Sequence, residues 1–292
     1  MTRVGVVGAG RVGAVLAAAL REAGYDIAAV AGESTASRSR IAALLPGVHV
    51  DKPTAVARAC DLLLLTVPDD MLANVVAMLS ASGAIRPGQY VAHTSGRHGL
   101  EVLLPAARRG AHVLALHPAM TFTGTDRDLA RLPGCVFGVT SAPDTAELAE
   151  RLVADLGGTP VRIPERLRTL YHAGLAHGAN HLVTLVAQSM DILRAAGVDD
   201  PAATLRPLLA AALDNALDSG DTALTGPIVR GDVETVRAHL AEVATHEPDA
   251  LESYVALARA TANRAVLDGR LLPIRAAKLV GVLNDALEQV SA

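Results

Sequence analysis

Tryptophan is absent from this 292-residue chain, and phenylalanine occurs only twice. Because just over half of the residues are nonetheless hydrophobic, the cores must be built mainly from Ala, Val and Leu. Such small side chains suit close helix–helix and helix–sheet packing. Blocks of like charge are missing too: the formal net charge is −4, and acids and arginines are scattered. That excludes the basic footprint of a nucleic-acid binder or of a protein drawn to anionic membrane. Cys60 and Cys135 stand alone, which gives neither a metal spacing nor a disulfide framework, so a cytoplasmic location is expected. No apolar run reaches the ~18 residues of a membrane span. Arg11 and three glycines interrupt the N-terminal apolar stretch, unlike the core of a signal peptide.

What is present divides into two grammars. Up to about residue 162, short apolar strands ("RVGVVG", "DIAAVA", "DLLLLTV", "QYVAHT", "HVLAL", "GCVFGVT") alternate with helix-like stretches at 11–23, 35–45, 69–81, 98–109 and 143–156. Strands apolar on both faces, separated by helices, predict a parallel sheet covered on each side. Gly and Pro cluster at "GGTPVRIPERLR" (157–168), and from there only helices are expected: 165–196, 201–219, 232–246, 248–268 and 274–290. Pro207 predicts a kink or a split in the second of these. The fold class is therefore an α/β domain with a parallel sheet, 1–162, followed by an all-α domain, 163–292.

The first strand runs into Gly8-Ala9-Gly10-Arg11-Val12-Gly13, which opens a helix. In this GxGxxG pattern the glycines provide a tight turn, backbone approach to a pyrophosphate, and close packing of helix on strand. An anion then sits at a helix N-terminus, where N–H groups and the dipole favour it. The pattern predicts a Rossmann-type dinucleotide site. After the second strand come Glu33, Ser34, Thr35, Arg38 and Arg40. The acid stands late for holding ribose hydroxyls, whereas Ser34 and Arg38 suit a 2′-phosphate, so NADP is expected with NAD as the alternative.

Ligands of open α/β sheets lie at the carboxyl ends of the strands. Here those ends read Thr66-Val67-Pro68-Asp69, His93-Thr94-Ser95-Gly96 and His117-Pro118. Histidine has an ordinary pKa near ~6.5 and can exchange a proton at neutral pH. Two readings of His117 stand at this point: a proton shuttle, or a residue oriented by the following proline to end a strand.

The succession GAGRVG, "DLLLLTVPDD", "AHTSG", "LALHPAMTF" and "LTGPIVRGDVETVRAHL" resembles a family of Rossmann-like oxidoreductases that carry a C-terminal domain of unknown function. More distantly the chain is similar to the 6-phosphogluconate dehydrogenase-like superfamily, which includes pyrroline-5-carboxylate reductases and prephenate dehydrogenases. In prephenate dehydrogenases a serine after one strand and a histidine in an HP motif after the next contact the substrate. The resemblance implies those roles for Ser95 and His117. It also implies a homodimer paired through the helical domain.

One departure matters. The β-hydroxyacid dehydrogenases of that superfamily place a lysine on the first long helix of the second domain, one turn before an asparagine. This chain has only Lys52 and Lys278, and offers "YHAGLAHGANHL" there, with Ala176 one turn before Asn180. A lysine-dependent mechanism is not expected. Of His172, His177 and His181 on the same stretch, His172 is the preferred substrate contact beside Asn180. No carboxylate or cysteine stands nearby to complete a metal site. In "LTGPIVRGD", Arg230 reads equally as an anion contact or as part of a capped turn. The expected function is an NADP-dependent oxidoreductase acting on a small carbonyl, imine or hydroxy compound. The alternative is a dinucleotide-binding sensor or scaffold without turnover.

Overall fold

The computed structural model describes residues 2–291 and divides into two compact units, 1–180 and 181–292. The first holds seven strands: β1 (Arg3–Val7), β2 (Asp26–Ala31), β3 (Leu62–Leu65), β4 (Tyr90–His93), β5 (His112–Pro118), β6 (Val136–Ser141) and β7 (Thr159–Arg162). They form one sheet in the order β2-β1-β3-β4-β5-β6-β7. Leu62 and Leu64 of β3 feed one core while Leu63 and Leu65 feed the other, as a strand covered on both faces requires. The helices of this unit are α1 (Arg11–Glu22), α2 (Thr35–Leu44), α3 (Pro53–Ala59), α4 (Asp69–Ala81), α5 (Leu104–Ala107) and α6 (Ala146–Asp155). After Phe137, leucines are the largest hydrophobic side chains fully buried, as a chain this poor in aromatics dictates.

The sheet departs from the parallel expectation at one edge. β1 to β5 pair parallel, β6 runs antiparallel to β5, and β7 pairs parallel to β6. A parallel pair needs a crossover, usually a helix, whereas 119–135 hold only a loop and a short 3-10 turn, Asp126–Arg131. The chain therefore turns back beside β5. β5 also extends two residues beyond the expected 112–116, so that His117 pairs with Gly138 and Pro118 with Phe137. β7, inside the Gly- and Pro-bearing stretch 157–168 where no strand was expected, is an exposed edge strand holding Pro160, where a missing N–H is tolerated. The expected helix at 98–109 reduces to a 3-10 turn and the single turn of α5.

Helix α7 (Arg168–Ala195) begins in the first unit, and its residues from His181 onward belong to the second. The second unit continues with α8 (Pro201–Ser219), α9 (Pro227–Arg230), α10 (Val233–His246), α11 (Leu251–Leu267) and α12 (Pro273–Ser291). Its core follows helical periodicity: Val236-Leu240-Val243 on α10, Leu251-Val255-Ala258-Ala262-Ala265 on α11, and Leu279 with Leu283 on α12. α8 runs unbroken through Pro207 rather than splitting there. Among the described residues no helix is long and apolar enough to cross a membrane.

Candidate functional site

Strand register brings the strand ends together. Val7 pairs with Leu65, Leu65 with His93, and His93 with Ala115. Gly8, Thr66, Thr94–Ser95 and His117 thus follow within one or two residues of a common line at one edge of the sheet. Two parts of a site lie along that edge.

The first is the glycine turn. Gly8 has φ +99°, and a Cβ there would lie 2.7 Å from the Val67 amide nitrogen, so a side chain is excluded twice over. Thr66 Oγ1 donates to the Gly8 carbonyl at 2.7 Å, and a Cβ on Gly13 would fall 2.2 Å from that same hydroxyl. Gly10, by contrast, faces nearly open space, and it begins α1 without a side-chain cap. The first amides of α1, those of Arg11, Val12 and Gly13, therefore remain available to an anion. Ala9 is fully buried behind the turn, its amide bonded to the Ala31 carbonyl at the end of β2. Ser34 is the N-cap of α2, its hydroxyl accepting from the Ser37 amide at 3.1 Å, while Arg38 is exposed on the first turn. Val67 and Pro68 lead into α4, whose N-cap is Pro68.

The second part surrounds His117. The face of α7 that meets it is set by helical spacing: Arg168, Tyr171, His172, Leu175, Ala176, Ala179 and Asn180 recur at three- and four-residue steps. His117 Nδ1 and the Tyr171 hydroxyl share a hydrogen bond of 3.2 Å. The His172 ring meets His117 edge-on with centroids 5.4 Å apart. Tyr171 lies against β6, where a Cβ on Gly138 would come within 2.6 Å of its hydroxyl oxygen. An open cavity of about 170 Å³ is lined by His117, Thr121, His172, Ala176 and Asn180, among others. Asn180 lies eight residues beyond His172, roughly 12 Å along the helix axis.

Beneath this cluster Arg168 is fully buried. It donates to the Ser95 carbonyl at 2.7 Å, to Thr140 Oγ1 at 2.9 Å and to the Gly138 carbonyl at 3.3 Å. Its Nε has no partner, and among the described residues it forms no ion pair. Burial lowers its pKa, with Tyr171, Glu165 and Asp69 acting in the opposite direction. Ser95 is equally occupied: its hydroxyl accepts from the His98 amide at 3.2 Å, and its own amide donates to His93 Nδ1. That bond places the His93 proton on Nε2, which donates to the Gly99 carbonyl at 2.8 Å. Burial pushes the His93 pKa down to about 4.

His117 is likewise lowered to about 4, by burial first and then by His172 and Arg168, with Asp69 opposing. It is therefore a neutral imidazole at pH 7, unlike the freely exchanging histidine that its ordinary pKa suggests. Burial raises the Tyr171 phenol, while Arg168 and the Gly138 backbone draw it down. Arg168 and Tyr171 escape sequence reading because their partners, on β5, on β6 and in the loop after β4, lie 28 to 73 residues away. The signal that points to them is their shared helical face with His172 and Asn180. Among the described residues no group of three or more His, Cys, Asp or Glu is arranged to hold a metal ion.

Comparison with known proteins adds the following. Residues 1–118 match the family model of a Rossmann-like domain, and residues 135–261 match a domain of unknown function, DUF2520. None of the curated proteins compared matches the chain. A candidate NADP oxidoreductase from Bacteroides fragilis superposes with a TM-score of 0.76 at 19% identity, over 90% of this chain and 98% of its own. An imine reductase from Myxococcus stipitatus, solved with NADP+, gives 0.61 at 17% identity over 98% and 94%. A pyrroline-5-carboxylate reductase from Coxiella burnetii gives 0.55 at 14% identity over 98% of each chain. At such identities the likeness is one of fold.

Proposed function

The chain belongs to the Rossmann-like proteins that carry a DUF2520 domain, and on that premise we propose that it is an NADP-dependent oxidoreductase acting on a small carbonyl, imine or hydroxy compound. One observation carries this reading: the open, uncapped N-terminus of α1 and the His117 cavity share one edge of one sheet. The glycine turn fits a dinucleotide, because two of its glycines are places where a Cβ would collide and the third leaves room for a phosphate. Gly8 to Gly13 would hold the diphosphate, Thr66, Val67 and Pro68 would wall the groove, and Ser34 with Arg38 would meet the 2′-phosphate. NAD remains a second ligand of the same groove. When bound, the nicotinamide supplies or accepts the hydride.

The chain's own residues supply the rest. His117 presents a neutral imidazole to the cavity, and His172 and Asn180 offer hydrogen bonds to a substrate along the α7 wall. Ser95 acts by holding the loop after β4 in shape. The solved relative that binds NADP+ and reduces imines supports the reading at the level of fold. Two buried thiols, Cys60 and Cys135, are compatible with a reducing cytoplasm. A homodimer is part of the proposal: Leu208, Leu213 and Leu217 of α8 are all exposed. The second unit also holds an apolar cavity of about 510 Å³, lined by Leu185, Ile192, Leu193, Leu205 and Leu257.

Thermal melting with NADPH and NADH tests the reading. At one hundred times Kd a ligand stabilises by about 2.7 kcal/mol, a rise of roughly 5 °C or more for a chain of this size. NADPH is expected to give the larger rise, and no rise with either nucleotide would sink the proposal. Binding without turnover of any carbonyl or imine would turn the reading towards a sensor.

A further inference from the structure

We propose that Tyr171 is the proton donor of this site, acting through His117 on a substrate oxygen, and that Arg168 is the buried positive charge on which the resulting tyrosinate rests. This inference deepens the oxidoreductase reading and narrows its substrates to carbonyl–alcohol pairs.

The geometry is that of a relay. His117 Nδ1 faces the Tyr171 hydroxyl at 3.2 Å. Its Nε2 lies on the opposite side of the ring, towards Gly96, where a Cβ would stand 3.0 Å away, and His117 lines the cavity. A neutral imidazole holds one proton and has no surplus proton to give, but it can release one at Nε2 while receiving another at Nδ1. Tyr171 is the hydroxyl bonded to that second nitrogen. Gly138 is the residue against which the phenol rests, and any side chain there would displace it.

The charge must then have somewhere to go. Around His117 stand His172, Tyr171 and Arg168 from α7, His93 from β4, and Asp69 from the start of α4. Asp69 is the anion of this set, and Arg97 already faces it at 3.6 Å. Arg168 gives its hydrogen bonds to two carbonyls and a hydroxyl, all neutral, and keeps an unpartnered Nε in the interior. Asp69 and Glu165 act on it only from beyond hydrogen-bond reach, and a buried cation with no anion in contact is costly unless something beside it becomes negative. An alkoxide or a tyrosinate does so; an iminium substrate, already positive, meets repulsion.

The step balances. Reduction of a carbonyl leaves the electron pair on its oxygen, which takes the proton from His117 Nε2. His117 Nδ1 takes the phenolic proton, the Tyr171 O–H bond breaks, and its electron pair stays on the phenolate oxygen beside Arg168. The alcohol leaves neutral; a solvent proton then enters at His117 Nε2, Nδ1 returns its proton to the tyrosinate, and the resting tautomer is restored. Alcohol oxidation runs the same path backwards.

The test reads the protein itself by nitrogen-15 NMR of the histidine rings across pH, in wild type, Arg168→Met, Arg168→Lys and Tyr171→Phe. The expected result is a neutral His117 carrying its proton on Nε2 at pH 7. Its pKa should rise at least tenfold in affinity for the proton in Arg168→Met and return towards wild type in Arg168→Lys. Tyr171→Phe should abolish the single-tautomer preference. A proton on Nδ1 in the wild type, or an unchanged His117 titration in folded Arg168→Met, would overturn the proposal. If Arg168→Met does not fold, the Tyr171→Phe tautomer decides. A second arm follows NADPH oxidation with small ketones and with cyclic imines. Ketone reduction that loses at least a hundredfold in kcat in Tyr171→Phe, with KM held within a few fold and an altered pH profile, supports the relay; reduction of imines alone defeats it. Failure of NADPH to bind would defeat the oxidoreductase reading while leaving the NMR arm intact.

Discussion

At the scale of single residues, the buried histidines make stability a function of pH. His93 and His117 both have pKa values of about 4 in the folded chain, against an ordinary value near ~6.5. Between those values the unfolded chain binds protons that the folded chain does not, so stability is lost as pH falls through the window. Above pH 6.5 the two histidines contribute no slope. Within the window each contributes about 1.4 kcal/mol per pH unit. Urea unfolding from pH 7.5 to 4.5 should show the fall, and His93→Gln should remove about half of it. Gly138→Ala tests the other side of the cluster. Its Cβ would meet the Tyr171 ring at 2.6 Å, so the strain of overpacking should cost about 1–3 kcal/mol. Calorimetry reads that loss as a lower Tm, and the His117–Tyr171 hydrogen bond should vanish from the NMR spectrum with it.

At the scale of elements, α2 separates structure from specificity. Ser34 caps its N-terminus, and losing such a cap in Ser34→Ala should cost about 1 kcal/mol. Aspartate caps as well as serine does, but it carries a negative charge where a 2′-phosphate is proposed. Ser34→Asp is therefore expected to keep the melting temperature and lose at least tenfold in NADPH affinity, with NADH affinity little changed. Fluorescence titration with both nucleotides checks this; an equal loss for both would remove Ser34 from the phosphate site. The reversal of β6 also belongs to this scale. The sequence lacks any helical pattern between residues 118 and 134, and that gap is the signature of the antiparallel edge, because a parallel crossover had nothing to build with.

At the scale of the whole molecule, α8 is nearly all exposed, with Leu208, Leu213 and Leu217 at 65%, 49% and 77%. Scaled by that exposure, moving the three leucines out of water is worth about 3–6 kcal/mol. Sedimentation should accordingly find a homodimer, and Leu213→Glu with Leu217→Glu together should yield a folded monomer. A wild-type monomer at high micromolar concentration would end the dimer proposal.

The sequence by itself determined the order of elements, the glycine turn and the line of polar strand ends. Each of these is written in local spacing: period two or unbroken apolarity for strands, period 3.6 for helices, and GxGxxG for a turn that only glycine can make. The tertiary structure decided the partners of His117. Arg168 was legible only as the last letter of the Gly- and Pro-bearing stretch 157–168, at the start of an expected helix, and Tyr171 only as the neighbour of a histidine. The fold buries the first beneath β4 and β6 and sets the second against Gly138. Burial also made His117 a neutral imidazole, because desolvation acts on a group through every element packed around it, and no spacing along the chain records that.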